Sequence, residues 1–84
     1  MTYRVEILPA ALKEYRRIPP GDKEIIKKAI LGLELNPRGP QVKKLQGCEY
    51  YRLRVRNWRV IFAVSDPHKL VTVIAIERRT STTY

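Results

Sequence analysis

The stretch Tyr51-Arg52-Leu53-Arg54-Val55-Arg56-Asn57-Trp58-Arg59-Val60-Ile61-Phe62 decides the fold. Apolar and basic residues alternate on both sides of Arg56-Asn57, the pattern of two half-buried strands joined by a two-residue turn. That turn puts Val55 opposite Trp58, Leu53 opposite Val60 and Tyr51 opposite Phe62 on one face. The other face then carries Arg52, Arg54, Arg59, Ile61 and Ala63, with Arg54 directly across from Arg59. Like charges facing one another across a strand pair are unfavourable, and neither strand carries an acidic residue to relieve them. An anion could.

Working outward, Leu70 to Ile76 is a further β-branched run after the loop Ser65-Asp66-Pro67-His68-Lys69, so three strands form an antiparallel meander. A five-residue loop would pair Val64 with Leu70. Unbroken alternation through Val73, Ala75 and Glu77 would then bring Arg79 to the side of Arg54 and Arg59, and a one-residue slip would invert this. Lys43 and Lys44 precede the hairpin, and Arg78 and Arg79 follow the last strand.

The N-terminal half reads differently. Tyr3 to Leu8 alternates as a short strand, and Pro9 opens a helix with Ala11, Leu12, Tyr15 and Ile18 on one stripe. Pro19-Pro20-Gly21 ends it. A second helix is expected from Asp22 as N-cap, with Ile25, Ile26, Ala29, Ile30 and Leu33 inward, until Asn36-Pro37 stops it. The sum is an α+β fold: an N-terminal strand and a helical hairpin packed on one face of an antiparallel β-sheet. Its 84 residues suffice for one core, so residues 1–84 are expected to form a single domain.

Lys and Arg number 17 against 8 Asp and Glu, a net charge of +9 on so small a body. Such a field favours a polyanion or an acidic protein as partner. Cys48 is the single cysteine, which excludes an internal disulfide and fits a reducing, cytoplasmic setting. No run approaches the ~20 apolar residues of a membrane span, so no membrane role is expected.

The chemistry available is narrow. His68 is the one histidine, which excludes a two-histidine ribonuclease site. No Cys/His set or paired carboxylate spacing suggests a metal, and no glycine-rich phosphate loop suggests a nucleotide, so no cofactor is expected. Arginine and a C-terminal tyrosine, Tyr84, remain. A guanidinium fork binds two phosphate oxygens and stabilises the added charge of a pentacovalent phosphorus. A phenol can serve as acid or base toward a 2′-hydroxyl or a leaving 5′-oxygen.

The hairpin string resembles the YR(I/L)RVGDYRVIY-type signature of RelE-like toxins in the RelE/ParE toxin-antitoxin superfamily. The opening strand with Ala10-Ala11-Leu12-Lys13-Glu14-Tyr15-Arg16-Arg17-Ile18-Pro19 and the ending Ile76-Glu77-Arg78-Arg79 through Tyr84 are similar to that family as well. The resemblance implies a microbial-RNase-like fold, a cognate acidic antitoxin, and, for the RelE branch, metal-independent cleavage of mRNA in the ribosomal A site, inhibiting translation. Carried over by position, it implies Arg54, Arg59, Arg79 and Tyr84 as catalytic residues. Lys43, Lys44, Arg52, Arg56 and Arg78 are the expected RNA contacts. A ParE-like DNA gyrase inhibitor without nuclease activity is the alternative, and a non-catalytic nucleic-acid-binding module a third. The third is disfavoured by the lack of aromatic residues to stack bases on the arginine face.

Overall fold

A computed structural model of the chain describes residues 2–39, 41–47 and 49–78. Five strands, β1 (Arg4–Ile7), β2 (Val42–Lys44), β3 (Tyr51–Val55), β4 (Trp58–Ser65) and β5 (Leu70–Arg78), form one sheet in the order β1-β5-β4-β3-β2. The helices α1 (Pro9–Arg16) and α2 (Pro20–Gly32) separate β1 from β2. This is the expected α+β architecture with one difference. The helical hairpin carries the chain from one edge of the sheet to the other, and β1 lies parallel to β5, so the sheet is mixed. Strand β2 is a short edge element pairing with β3, where sequence alone indicated only flanking lysines.

The β3–β4 hairpin has the expected register, Val55 opposite Trp58 through Tyr51 opposite Phe62. Its turn requires a left-handed residue, and Arg56 takes that conformation at φ 52°. The next connection is one residue shorter than the five-residue loop considered, because Ser65, not Val64, pairs with Leu70. The slip would invert the far end of β5. A bulge between Ile61 and Phe62 corrects it: Ile61 pairs with Ala75 and Phe62 with Val73, so Ile74 is an extra residue. Val73 therefore faces the core with Phe62 while Ala75 and Glu77 face the other way, where unbroken alternation would have put all three together.

Both helices cover the face that buries Val60, Phe62, Val71 and Val73 at 0% exposure, and Ala11, Ile26, Ile30 and Leu33 supply the helical side of the core. Each large side chain removed from water contributes about 1.5–3 kcal/mol, enough to hold the helices to this face alone. Helix α2 starts at Pro20, not after Asp22, since proline in the first turn lacks only an N–H that would have had no partner. Asp22 instead accepts a hydrogen bond from Trp58 Nε1 at 3.1 Å, tying the helix to the hairpin.

One end of the core is closed by polar side chains from four segments. Arg38 donates two hydrogen bonds to Asp66, at 3.1 and 3.0 Å, and a third from Nε to the Tyr51 hydroxyl at 3.2 Å. Tyr3 donates its hydroxyl to Asp66 Oδ1 at 2.7 Å, and Tyr51 stacks on Phe62 with ring centroids 5.7 Å apart. Hydrogen bonds from Arg38 and then Tyr3 hold the Asp66 carboxyl below the usual carboxylate range. The bond to Asp66 raises the Tyr3 hydroxyl above its ordinary value.

Candidate nucleic-acid interface

The face of the sheet away from the helices carries the charged constellation, and strand pairing fixes who sits beside whom. Lys43 pairs with Arg52, Arg52 with Ile61, and Arg54 with Arg59. Gln41, Lys43, Arg52, Arg54 and Arg56 line a groove of about 430 Å³ between the β2 edge and the hairpin turn. The Arg56 turn and the β2 strand thus put four cations around one hollow. Arg59 stands at its side, across the strand pair from Arg54.

The opposed arginines are not without relief. Glu77, on β5, pairs with Arg59, and its Oε1 lies 3.5 Å from Arg59 Nη2. The reading that no acid sits on the two hairpin strands holds, but the acid comes from the third strand over. The shorter connection and the bulge together set Glu77 directly opposite Arg59, where unbroken alternation from a Val64–Leu70 pairing would have given the same face but put Ala75 opposite. The Arg59 Nε is out of contact with solvent and has no hydrogen-bond partner. A desolvated donor left unpaired costs about 1–3 kcal/mol, more for a charged group. A turn of the side chain that exposes the Nε to a ligand oxygen would recover that cost.

Of the residues singled out in the sequence, Lys43, Arg52, Arg54, Arg56 and Arg59 come together here. Two others do not. Lys44 pairs with Tyr51, whose ring packs on the helix side, and Arg78 pairs with Trp58, with its guanidinium 5.7 Å from the ring centroid. Both stand on the opposite face from the groove. Arg79 and Tyr84 lie outside the described residues.

Elsewhere on the uncovered face Ile61, Ala63, Thr72 and Ala75 make a neutral strip without aromatic rings. The surface is therefore suited to grip a sugar-phosphate backbone and poorly suited to read bases by stacking. His68, in the loop before β5, meets Ser65 Oγ through Nδ1 at 2.9 Å, remote from the groove. Among the described residues no group of three or more His, Cys, Asp or Glu could hold a metal ion, and no helix is long and apolar enough to cross a membrane.

Comparison with known proteins bears on the family and the fold. Residues 5–82 match the family model described as ParE toxin of type II toxin-antitoxin system, parDE. The mRNA interferase toxin RelE of Escherichia coli is 30% identical over 82 residues, covering 94% of this chain and 85% of that protein. Among solved structures, the archaeal RelE-RelB complex of Pyrococcus horikoshii contains a chain with a TM-score of 0.84 at 28% identity, covering 98% of this chain and 100% of that one. A chain of the intact E. coli RelBE toxin-antitoxin complex has a TM-score of 0.81 at 27% identity, covering 93% and 98% respectively.

Proposed function

The chain belongs to the ParE toxin family of type II toxin-antitoxin systems, within the RelE/ParE superfamily, and from that premise we propose that it is a ribosome-dependent mRNA endoribonuclease. The observation that carries the reading is the groove of Lys43, Arg52, Arg54 and Arg56 beside an Arg59 whose Nε has no partner. Inhibition of a topoisomerase by surface docking does not need a groove lined by a lysine and three arginines. The name mRNA interferase carried by the E. coli relative points the same way.

In this reading mRNA runs along the groove and Lys43, Arg52 and Arg56 hold its flanking phosphates. Arg54 and Arg59 grip the scissile phosphate and stabilise the charge that accumulates on phosphorus oxygens, with Arg79 supplying a third guanidinium and Tyr84 a proton-transfer group. No metal takes part. A set so poor in proton-transfer groups holds RNA better than it cuts it. The ribosome supplies what is missing by fixing the 2′-oxygen, phosphorus and 5′-oxygen in line, an effect that reaches about 7–11 kcal/mol in favourable cases. The protein acts in the cytoplasm and is silenced by an acidic antitoxin, as the net charge of +9 favours.

The family model's own name favours one second reading, a ParE-like gyrase inhibitor. Inducing the chain in cells while mapping mRNA ends and measuring plasmid supercoiling separates the two. Cuts within translated codons, abolished by Arg54→Ala and Arg59→Ala in a protein that keeps its circular dichroism spectrum, are the expected result. Intact mRNA with altered DNA topology would replace the ribonuclease reading by the second.

A further inference from the structure

Resting on the ribonuclease reading, we propose that Glu77 is the proton acceptor for the 2′-hydroxyl. The basis is a charge order across three adjacent strands. Arg54 on β3 pairs with Arg59 on β4, and Arg59 pairs with Glu77 on β5, all on the face the helices leave bare. Neighbouring strands lie about 4.8 Å apart, so cation, cation and carboxylate follow one another in a row roughly 10 Å long. A scissile phosphate and the 2′-hydroxyl beside it fit within that row. A phosphate seated on Arg54 and Arg59 brings its own sugar up to a carboxylate whose Oε1 is 3.5 Å from Arg59 Nη2.

Three other acids near the sheet are engaged elsewhere. Asp22 accepts from Trp58 Nε1, Asp66 is held by Arg38 and Tyr3, and Glu6 sits beside Thr72, toward the opposite end of β5, paired with Arg4 at 3.5 Å. Glu77 is half exposed, with room to swing from Arg59 to an incoming hydroxyl. As a bystander, a carboxylate beside a phosphate cradle only repels the substrate. As a base it is suited to the task, since a carboxylate oxygen positioned beside the ribose can accept the hydroxyl proton directly. This division leaves Tyr84 the acid.

The step balances without a metal or redox partner. Glu77 takes the proton from the 2′-hydroxyl, and the 2′-oxygen forms a bond to the adjacent phosphorus. The bond from phosphorus to the 5′-oxygen breaks, and that oxygen leaves with the Tyr84 proton. The products are a 2′,3′-cyclic phosphate and a 5′-hydroxyl end. The charge on Glu77 also does a second thing: when its proton is taken up, its hold on Arg59 loosens as the phosphorane gains charge.

The test is single-turnover cleavage of mRNA in a programmed ribosomal A site by the wild-type protein, Glu77→Gln and Glu77→Asp, with binding of a short 2′-O-methyl RNA measured in parallel. Glu77→Gln is expected to slow cleavage by at least about 100-fold, the lower end of what a positioned base supplies. RNA binding should be unchanged or tighter, with Glu77→Asp restoring part of the rate. Cleavage by Glu77→Gln within about 3-fold of wild type, far below that expectation, would overturn the role of Glu77 and leave the ribonuclease reading standing. Equal losses of binding and rate in both variants would reduce Glu77 to a structural partner of Arg59 and overturn the proposal too. A wild-type protein that cuts no ribosome-bound mRNA would overturn both.

Discussion

The salt dependence of RNA binding reads out how many cations the groove contributes. Single-stranded RNA releases counterions with a slope of about −0.7 per phosphate neutralised. Lys43, Arg52, Arg54 and Arg56 line the groove, and Arg59 adds a fifth charge partly spent on Glu77. Four to five neutralised phosphates give a slope of about −2.8 to −3.5 in log K against log salt. Between about 50 and 200 mM salt the affinity should therefore fall roughly 50- to 130-fold. Fluorescence anisotropy of a labelled 2′-O-methyl RNA, which cannot be cut, measures this directly. Arg54→Ala should make the slope shallower by about 0.7. Lys44→Ala and Arg78→Ala should leave it alone, since Lys44 pairs with Tyr51 and Arg78 with Trp58 on the other side of the sheet. A wild-type slope steeper than about −6 would mean the RNA wraps the whole basic surface. That result, or equal effects of Arg54→Ala and Lys44→Ala, would refute the groove as the binding site.

Two further outcomes concern the scaffold. Trp58→Phe removes the indole N–H that reaches Asp22 at 3.1 Å; urea unfolding should show a loss of about 1–2 kcal/mol, toward the low end for a bond to a charged group because the site is only partly buried. Asp66 has its carboxyl held below the usual range by Arg38 and Tyr3, so its contribution to stability is complete above the ordinary Asp value of about 3.9 and disappears as the pH falls through its lowered folded-state value. Urea midpoints of Asp66→Asn and wild type compared across that acid range should converge, and parallel profiles would remove Asp66 as a source of acid sensitivity.

The chain's local patterns sufficed for much of this molecule. Alternation of apolar and basic residues around Arg56-Asn57 defined both faces of the hairpin and its register, because a two-residue turn leaves no freedom of pairing and a slip would bury arginines. The helical stripes ending in Ile18 and Leu33 likewise identified the inward residues. The proline pair at the start of α2 was legible only as a break, since the same residues can end one helix or begin the next, and Pro20 takes the first helical position while Asp22 ties α2 to the hairpin through Trp58. Tertiary structure alone decided the rest of the site. A connection one residue shorter and a bulge at Ile74 each shift the facing of β5 by one residue, and their effects cancel. Glu77 comes to Arg59 through that cancellation, and the pairings of Lys44 and Arg78 turn them from the groove. The parallel seat of β1 beside β5 was equally invisible, being a contact between segments more than sixty residues apart. A period-two pattern records which residues share a face within one strand; which face that is relative to a distant strand depends on every inserted residue between them, and only packing counts those.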